Sequence, residues 1–406
     1  MQSEQEDELE TSLSWEASGR SVLKLNIRHL YIFGLWPLCE AWPFHLYTAY
    51  GAALGIWNTA EGFLAVYFSW GDLEQTTLVL MNTFTNASGL VKIVFFARDG
   101  RRYNSLARSV DRLMSLQSEV CSRDPGLAAV LRRSRQGATR LTLGMLLFMF
   151  SQCFVWFPMP VFAHAGERRL PFAQHPWDNN TGYYELSYAV QCVAGLWLSQ
   201  ISYGIDCLFA SVMLLVAAQL EILAGRIVAL GKVANAAGCR PDESLAANTR
   251  SQTYRDLCVC VEAHQKVLRF VTHLENTMSP IAMTQFVCSV LVACSSLFQA
   301  TYSKDLSAAF SSMSFLPIPG GQVYLYCWAA HTVTEKAEMI SSAAYGCSWV
   351  EASERFKHAL RILISRAQKP LVLTAGHLYP IDKPAFLSLV NASYSYYALL
   401  GQMNKR

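Results

Sequence analysis

Seven apolar segments, each about as long as a membrane helix, constrain this chain more than any other feature of its sequence. A helix that crosses the hydrocarbon core of a bilayer needs about 20 mainly apolar residues. The chain is also only 16% charged, whereas a soluble domain carries about 25% charged residues. The pattern predicts an all-α membrane protein with seven transmembrane helices, at about 44–68, 73–97, 140–163, 188–222, 278–302, 309–334 and 384–403.

The basic residues lie mainly in alternate connections between these segments. Of the 33 Lys and Arg residues, 27 lie in the N-terminal segment and in the connections 98–140, 225–276 and 335–383, and 5 lie in the other connections and at the C-terminal end. Short loops rich in Lys and Arg remain in the cytosol. The distribution therefore predicts a cytosolic N-terminus and an extracellular C-terminus. Because the acidic N-terminal segment lacks the pattern of a cleavable signal peptide, the first span is expected to act as the insertion signal.

The basic connections are expected to form a helical layer in the cytosol. Apolar residues recur at helical spacing, between charges, in 251–278 and again in 353–373. Such stripes need a partner surface, and packing of these helices on one another supplies it. The expected division is a cytosolic N-terminal segment at 1–43, six transmembrane helices at 44–334, a cytosolic anchor segment at 335–383 and the last helix at 384–406.

The sequence contains no pattern that indicates catalysis. It has no HExxH, GxSxG, Walker A or GxGxxG motif, and its histidines show no metal-ligand spacing. Its scattered cysteines fit small buried hydrophobic residues. The sequence thus predicts neither an enzyme nor a cofactor, and a net charge of +3 gives no reason to expect a nucleic acid partner.

Three residues in or near the predicted spans have individual interpretations. Glu61 and Asp206 lie within spans, where a charged group usually faces the bundle interior or water. Asp206 is the stronger candidate for a polar contact between helices. Asn179 lies in the sequon "NNT" of the longest predicted outer loop and is a candidate for glycosylation.

The last 80 or so residues carry a family resemblance. "YLYCWAAHTVTEKAEMISSAAYGCSW" is followed by "RAQKPLVLTAGHLYPIDKPAFLSLVNASYSYYALL", with Tyr345 and Trp349 in the cytosolic stretch and Tyr-Ser-Tyr in the final helix. This region, at 324–401, closely resembles the C-terminal signature of insect odorant receptors. The seven spans, the orientation and "YIFGLWP" at 31–37 agree with that family.

The resemblance implies a subunit of a ligand-gated, non-selective cation channel. Members of the family are tetramers in the plasma membrane of olfactory sensory neuron dendrites, in which a tuning subunit assembles with a shared co-receptor. The connection at 225–276 is short for a co-receptor, so the chain resembles a tuning subunit. The alternatives are a gustatory-receptor-like homomeric channel, whose "TYxxxxxQF" motif reads here "SYSYYALLGQM", and a solute transporter, suggested by the break "LPIPGG" in the sixth span.

The resemblance places an odorant site in the outer half of the bundle, between helices two, three, four and six. Ligand sites are mostly apolar and aromatic with a few polar groups, which suggests a small aromatic or heterocyclic volatile. The residues there that fit this description are Phe84, Thr85, Ser88, Met149, Gln152, Trp156, Ser199, Tyr203, Ser311 and Phe315.

The final helix carries a polar stripe that predicts a pore. Ser388, Asn391, Ser395, Leu399 and Gln402 recur at steps of three and four, so they share one face. Such a face suits water rather than lipid. Comparison with the family's final helix implies a gate at Leu399 and Met403, with Gln402 as the polar group beside it.

Overall fold

Almost all of the chain that the structure describes is helical. The computed structural model describes residues 13–37, 42–121, 124–163, 170–172, 183–238, 243–303, 306–347, 349–350 and 352–404. In chain order the helices and strands are α1 (Trp15–Arg20), α2 (Lys24–Ile32), α3 (Trp42–Phe68), α4 (Leu73–Arg98), α5 (Gly100–Cys121), α6 (Pro125–Trp156), α7 (Met159–Ala163), α8 (Tyr184–Gly238), α9 (Glu243–Tyr302), α10 (Leu306–Phe315), α11 (Pro317–Gly346), α12 (Glu354–Ala367), β1 (Thr374–Ala375), β2 (Tyr379–Pro380) and α13 (Lys383–Asn404).

Every predicted span falls on helix, although two of them are broken. The third span runs through α6 and α7, and the sixth runs through α10 and α11, with the break at Leu316 before the Pro-Ile-Pro-Gly-Gly run. By length and composition, four described helical stretches are apolar enough to cross a membrane: Leu73–Arg98, Pro125–Phe162, Tyr184–Val233 and Asn248–Tyr302. The number of crossings and their direction stay predictions.

Helix α8 forms the centre of the bundle. Its most apolar window is 89% buried, whereas that of α6 is 17% buried, as expected for a helix that is apolar on all sides. It packs against α11, α6, α9, α4 and α3. Because α8 has 55 residues and α9 has 60, each is roughly 80–90 Å long. Both exceed the roughly 30 Å hydrocarbon core, so the predicted connection at 225–276 is largely a continuation of these two helices.

Aspartate side chains fix where three of the helices begin. Asp72 Oδ1 accepts hydrogen bonds from the backbone N–H groups of the first turn of α4, and Asp124 Oδ1 does the same for α6. Asp382 Oδ1 accepts from Ala385 N at 2.7 Å at the start of α13. These acceptors satisfy donors that have no partner within the helix, so the registers of α4, α6 and α13 are set at their first residues.

The N-terminal helices α1 and α2 are anchored to the bundle by buried polar contacts. Val22 N donates to Asp111 Oδ1 of α5 at 2.9 Å, and burial raises the pKa of this carboxyl group. Trp36, in the "YIFGLWP" motif, donates from Nε1 to Asn104 Oδ1 at 3.0 Å. Ile27 and Leu30 of α2 are fully buried. The motif therefore serves to hold the N-terminal segment against α5 and α8.

A short hairpin precedes the last helix and docks on α9 next to Pro280. Strands β1 and β2 are antiparallel, and their turn contains Gly376 and His377, with φ of 61° and 57°. Gly376 N donates to Ser279 O and His377 N donates to Ser279 Oγ, both at 2.9 Å. These two hydrogen bonds attach the hairpin to α9 one residue before Pro280.

Candidate functional site

A cavity lies between five long helices in the region where a ligand site is predicted. The space between its lining atoms, with open solvent at the mouth included, is about 810 Å³. Helices α4, α6, α8, α9 and α11 line it, together with Phe315 of α10 and Phe172 of the connection before α8. The helix of the fifth predicted span, α9, contributes Gln285, Cys288, Ser289 and Val292, whereas the resemblance implies a site between helices two, three, four and six.

One side of the cavity is an aromatic wall formed by Trp156, Phe157, Phe172 and Phe315. The Trp156 and Phe315 rings meet edge to face, with centroids 5.0 Å apart, and the Phe157 and Phe172 rings meet at 90° with centroids 6.1 Å apart. Such pairs favour this offset geometry. Phe172 reaches the wall because Gly195 has no side chain, since a Cβ atom there would lie 2.6 Å from the Phe172 ring.

The cavity also has a polar wall, formed by Ser88, Ser202, Gln285, Ser289 and Gln322. Gln285 Nε2 donates to Ser289 Oγ and to Gln322 Oε1, both at 2.8 Å. Ser88 Oγ donates to Gln285 Oε1 at 3.3 Å. These bonds connect α4, α9 and α11, so the polar side chains hold one another in fixed orientations at the cavity surface.

The polar wall continues into a charged cluster of Lys92, Asp206 and Tyr326 deeper in the bundle. Lys92 Nζ lies 2.8 and 2.7 Å from the two carboxylate oxygens of Asp206, and both side chains are fully buried. Tyr326 donates its hydroxyl to Asp206 Oδ1, and Gln322 donates Nε2 to Asp206 Oδ2, both at 2.8 Å. Lys92 also donates to Ser202 Oγ at 3.0 Å. Two residues of the polar wall, Ser202 and Gln322, thus bond directly to the ion pair.

Eight of the ten residues predicted for ligand binding line this cavity. Phe84 is half-buried and packs against the aromatic cluster next to the cavity, and Ser311 is half-buried in α10 without lining it. The hydroxyl groups of Thr85, Ser199 and Tyr203 donate to backbone carbonyls of Met81, Leu196 and Ile318. The eight lining residues are Thr85, Ser88, Met149, Gln152, Trp156, Ser199, Tyr203 and Phe315.

The last helix, α13, presents its polar stripe to the outside of the single chain. Leu399 and Met403 are 54% and 58% exposed, and the other stripe residues, Ser388, Asn391, Ser395 and Gln402, are exposed as well. The opposite side packs on α9 and α11. At Gly401 the approach is close, because a Cβ atom would lie 2.6 Å from the Tyr302 hydroxyl.

Two further points concern metal-ligand groups and the glycosylation candidate. Among the residues that the structure describes, no group of three His, Cys, Asp or Glu side chains is arranged to hold a metal ion. Asn179, the glycosylation candidate, lies outside the described residues.

Comparison with known families identifies the chain's relatives. The sequence model of the family described as "7tm Odorant receptor" matches residues 72–394, more than half of the chain. The chain belongs to the odorant receptor family. Odorant receptor Or2 of Anopheles gambiae is 24% identical over 83% of this chain and 87% of its own length. Odorant receptor 10 of Aedes albopictus has the same identity and coverage. The predictions of family and of an all-α membrane protein are confirmed.

The fold matches that of a solved insect olfactory receptor. OR5 from Machilis hrabei, in complex with eugenol, superposes with a TM-score of 0.79 at 19% identity, over 94% of this chain and 97% of that protein. At this identity the likeness shows the fold. It agrees with the helix order described above.

The parts of this odorant receptor that sequence reasoning missed are mainly polar. The sequence predicts no role for Lys92, which lies within the second span at 73–97, and none for Gln285, Ser289 and Gln322. One signal was present, because Lys92 and Asp206 are opposite charges inside predicted spans, where buried charges usually pair. The sequence carries no comparable signal for the amides, which look like ordinary polar residues in an apolar helix.

Proposed function

We propose that this odorant receptor is the tuning subunit of an odorant-gated, non-selective cation channel. It binds a small volatile in the cavity between α4, α6, α8, α9 and α11. It assembles with a shared co-receptor into a heterotetramer in the plasma membrane of olfactory sensory neuron dendrites. Its last helix, α13, lines part of a central pore, with Ser395, Leu399, Gln402 and Met403 on the pore side.

The exposed polar stripe of α13 is the observation that carries the channel proposal. A helix that faces lipid has no use for exposed Asn391 and Gln402, since unpaired amides are costly in hydrocarbon. A water-filled pore lined by the equivalent helices of four subunits would solvate them. The packed side of the same helix, at Ala385, Ser393 and Gly401, supports a fixed orientation of the stripe.

The cavity supports a small aromatic or heterocyclic ligand. The aromatic wall offers ring faces and edges for stacking, and the polar wall offers a limited set of hydrogen-bonding groups. OR5 from Machilis hrabei was solved in complex with eugenol, a small aromatic molecule. The same class of ligand suits the cavity of this chain.

Ligand-evoked current in excised patches tests the proposal. The chain is expressed with and without the co-receptor, and volatiles are applied to outside-out patches with no nucleotide in the pipette. We expect cation current at once, only from cells that contain both subunits. Current from the chain alone would support the homomeric, gustatory-receptor-like alternative. Ligand uptake without current would support a transporter instead.

A further inference from the structure

Two polar atoms on one face of α6 border the cavity without any hydrogen-bond partner. They are Gln152 Oε1 and Trp156 Nε1, and both are buried. The Trp156 side chain is nine-tenths buried, with 9% exposure. Among the described residues that line the cavity, these are the buried side-chain nitrogen and oxygen atoms left without a partner.

Several other polar groups of the cavity already use their protons within the protein. Tyr203 donates its hydroxyl to Ile318 O, and Ser199 donates to Leu196 O, both at 2.9 Å. The amides of the polar wall bond to one another and to Asp206. A buried donor or acceptor without a partner is unfavourable. A ligand that supplies the missing partners at Gln152 and Trp156 therefore gains more binding free energy than a ligand that contacts the groups already bonded.

The two free atoms call for complementary groups on the ligand. Trp156 Nε1 is a donor only, whereas Gln152 Oε1 is an acceptor. Residues at i and i+4 of a helix have Cβ atoms about 6 Å apart on one face. One hydroxyl oxygen that forms two hydrogen bonds of about 2.9 Å joins atoms about 5 Å apart, a separation that the flexible Gln152 side chain can reach from the neighbouring turn of α6. A single hydroxyl group satisfies both, because its oxygen accepts while its proton is donated.

We propose that the cavity selects aromatic volatiles that carry a hydroxyl group, held between Gln152 and Trp156. This proposal rests on the proposed function, in which the cavity binds the odorant. The hydroxyl donates to Gln152 Oε1 and accepts from Trp156 Nε1. The ring lies against Phe315, whose ring contacts Trp156 edge to face. An ether oxygen makes only the bond to Trp156, and a hydrocarbon makes neither.

Three probes of similar size and shape separate these contacts: 4-methylphenol, 4-methylanisole and p-xylene. Each is applied to cells that express the wild-type chain with the co-receptor, and the concentration for half-maximal current is measured. We expect 4-methylphenol to be the most potent, then 4-methylanisole, then p-xylene. Each lost hydrogen bond should raise the half-maximal concentration roughly three- to tenfold. This order in the wild type tests the proposal even where a variant fails to reach the surface.

Two conservative variants then assign each bond to its residue. Trp156→Phe keeps an aromatic ring and removes the N–H group, so 4-methylanisole and p-xylene should become equally potent. Gln152→Leu removes the amide, so 4-methylphenol should lose its advantage over 4-methylanisole. Surface labelling of intact cells shows that each variant is present in comparable amounts.

The chain offers a matched control for each variant. Trp197 Nε1 and the Gln200 amide are also buried without a partner, but neither residue lines the cavity. Trp197→Phe and Gln200→Leu should therefore leave the order of potency of the three probes, and the ratios between their half-maximal concentrations, unchanged. A change of the same size in these variants would mean that the effect is structural, and the proposal would be wrong.

The remaining outcomes separate this proposal from the proposed function. If a broad odorant panel evokes current but the three probes are equally potent or inactive, the hydroxyl proposal fails and the channel function stands. If no odorant evokes current although a known receptor responds under the same conditions, both fail.

Discussion

Lys92 Nζ of α4 lies 2.7 Å from Asp206 Oδ2 of α8, and both side chains have no exposed surface. The pair joins the central helix to a neighbour at a depth where neither charge meets water. Tyr326 and Gln322 of α11 complete the coordination of Asp206. The ion pair therefore links three helices, and through Ser202 and Gln322 it reaches the surface of the cavity.

Removal of one partner should cost far more stability than removal of both. Asp206→Asn or Lys92→Met alone leaves a buried charge without its partner, which costs about 3–5 kcal/mol, whereas replacement of a buried pair by groups of similar volume is often close to neutral. We expect both single variants to lose surface expression and to unfold at lower temperature in detergent. Lys92→Met combined with Asp206→Asn should recover most of the loss.

The control is the more exposed ion pair between Lys336 and Glu221, with 3.1 Å between Nζ and Oε2 and side chains 23% and 35% exposed. Partly hydrated pairs contribute about 1 kcal/mol or less, so Lys336→Met should have a small effect. A double variant of Lys92 and Asp206 that is as unstable as the worse single variant would contradict the pairing.

Truncation of the aromatic wall should weaken the response to the best odorant. Trp156 lines the cavity, whereas Phe84 only packs beside it. Loss of stacking and of buried aromatic area at Trp156 exceeds about 1.4 kcal/mol, which is tenfold in affinity. Trp156→Ala should raise the half-maximal odorant concentration at least about tenfold, and Phe84→Ala should raise it less. An unmoved dose–response curve for Trp156→Ala would place the ligand elsewhere.

The apolar segments predict the helices well because hydropathy is a local property of the chain. Residues 384–403 lie within α13, and the predicted polar stripe is exposed on one side of it. The stripe follows from a period of 3.6 residues alone. The same reasoning places Met149, Gln152 and Trp156 on one face of α6, and all three line the cavity.

Contacts between helices could not be predicted in the same way, because they depend on the packing order and relative height of distant segments. Lys92 and Asp206 are 114 positions apart, and although both are charges inside predicted spans, no local pattern indicates that they meet each other. Gln285 enters the cavity only because α9 packs against α4. The contact between the hairpin and Ser279 likewise depends on two segments nearly 100 residues apart.

The direction of the chain across the membrane can be tested with epitope tags. The 27 basic residues on the predicted inner side, against 5 on the outer side, favour a cytosolic N-terminus. A tag after Arg406 should be stained on intact cells, and a tag before Met1 should be stained only after permeabilisation. Staining of the C-terminal tag only in permeabilised cells would contradict the orientation.

Gln402 should influence which ions pass through the pore. Its side chain is exposed in the last turn of α13, and charged rings select between ions in channels. Gln402→Glu should raise the permeability to cations relative to chloride and Gln402→Lys should lower it, as measured from reversal potentials under bi-ionic conditions. Asn404→Asp is the control, since two residues further on a helix point to nearly the opposite side. Equal shifts of the reversal potential in the Gln402 and Asn404 variants would indicate a general effect of surface charge.

Leu399 should act as the gate of the channel. It is 54% exposed on the polar stripe, and an apolar ring can close a pore because water leaves it. Leu399→Ser makes that ring easier to hydrate, so current without odorant should rise severalfold when the variant is expressed with the co-receptor. Leu399→Ala, paired with the equivalent change in the co-receptor, should act in the same direction.

Leu387→Ser is the matched control for Leu399→Ser. Leu387 is 61% exposed on the same helix, and its position 12 residues earlier turns it about 120° away from Leu399. The two substitutions remove the same apolar side chain, so loss of hydrophobicity alone should affect both variants equally. A gate at Leu399 predicts higher basal current only in Leu399→Ser. Equal basal currents in the two variants and in the wild type would place the gate on another residue.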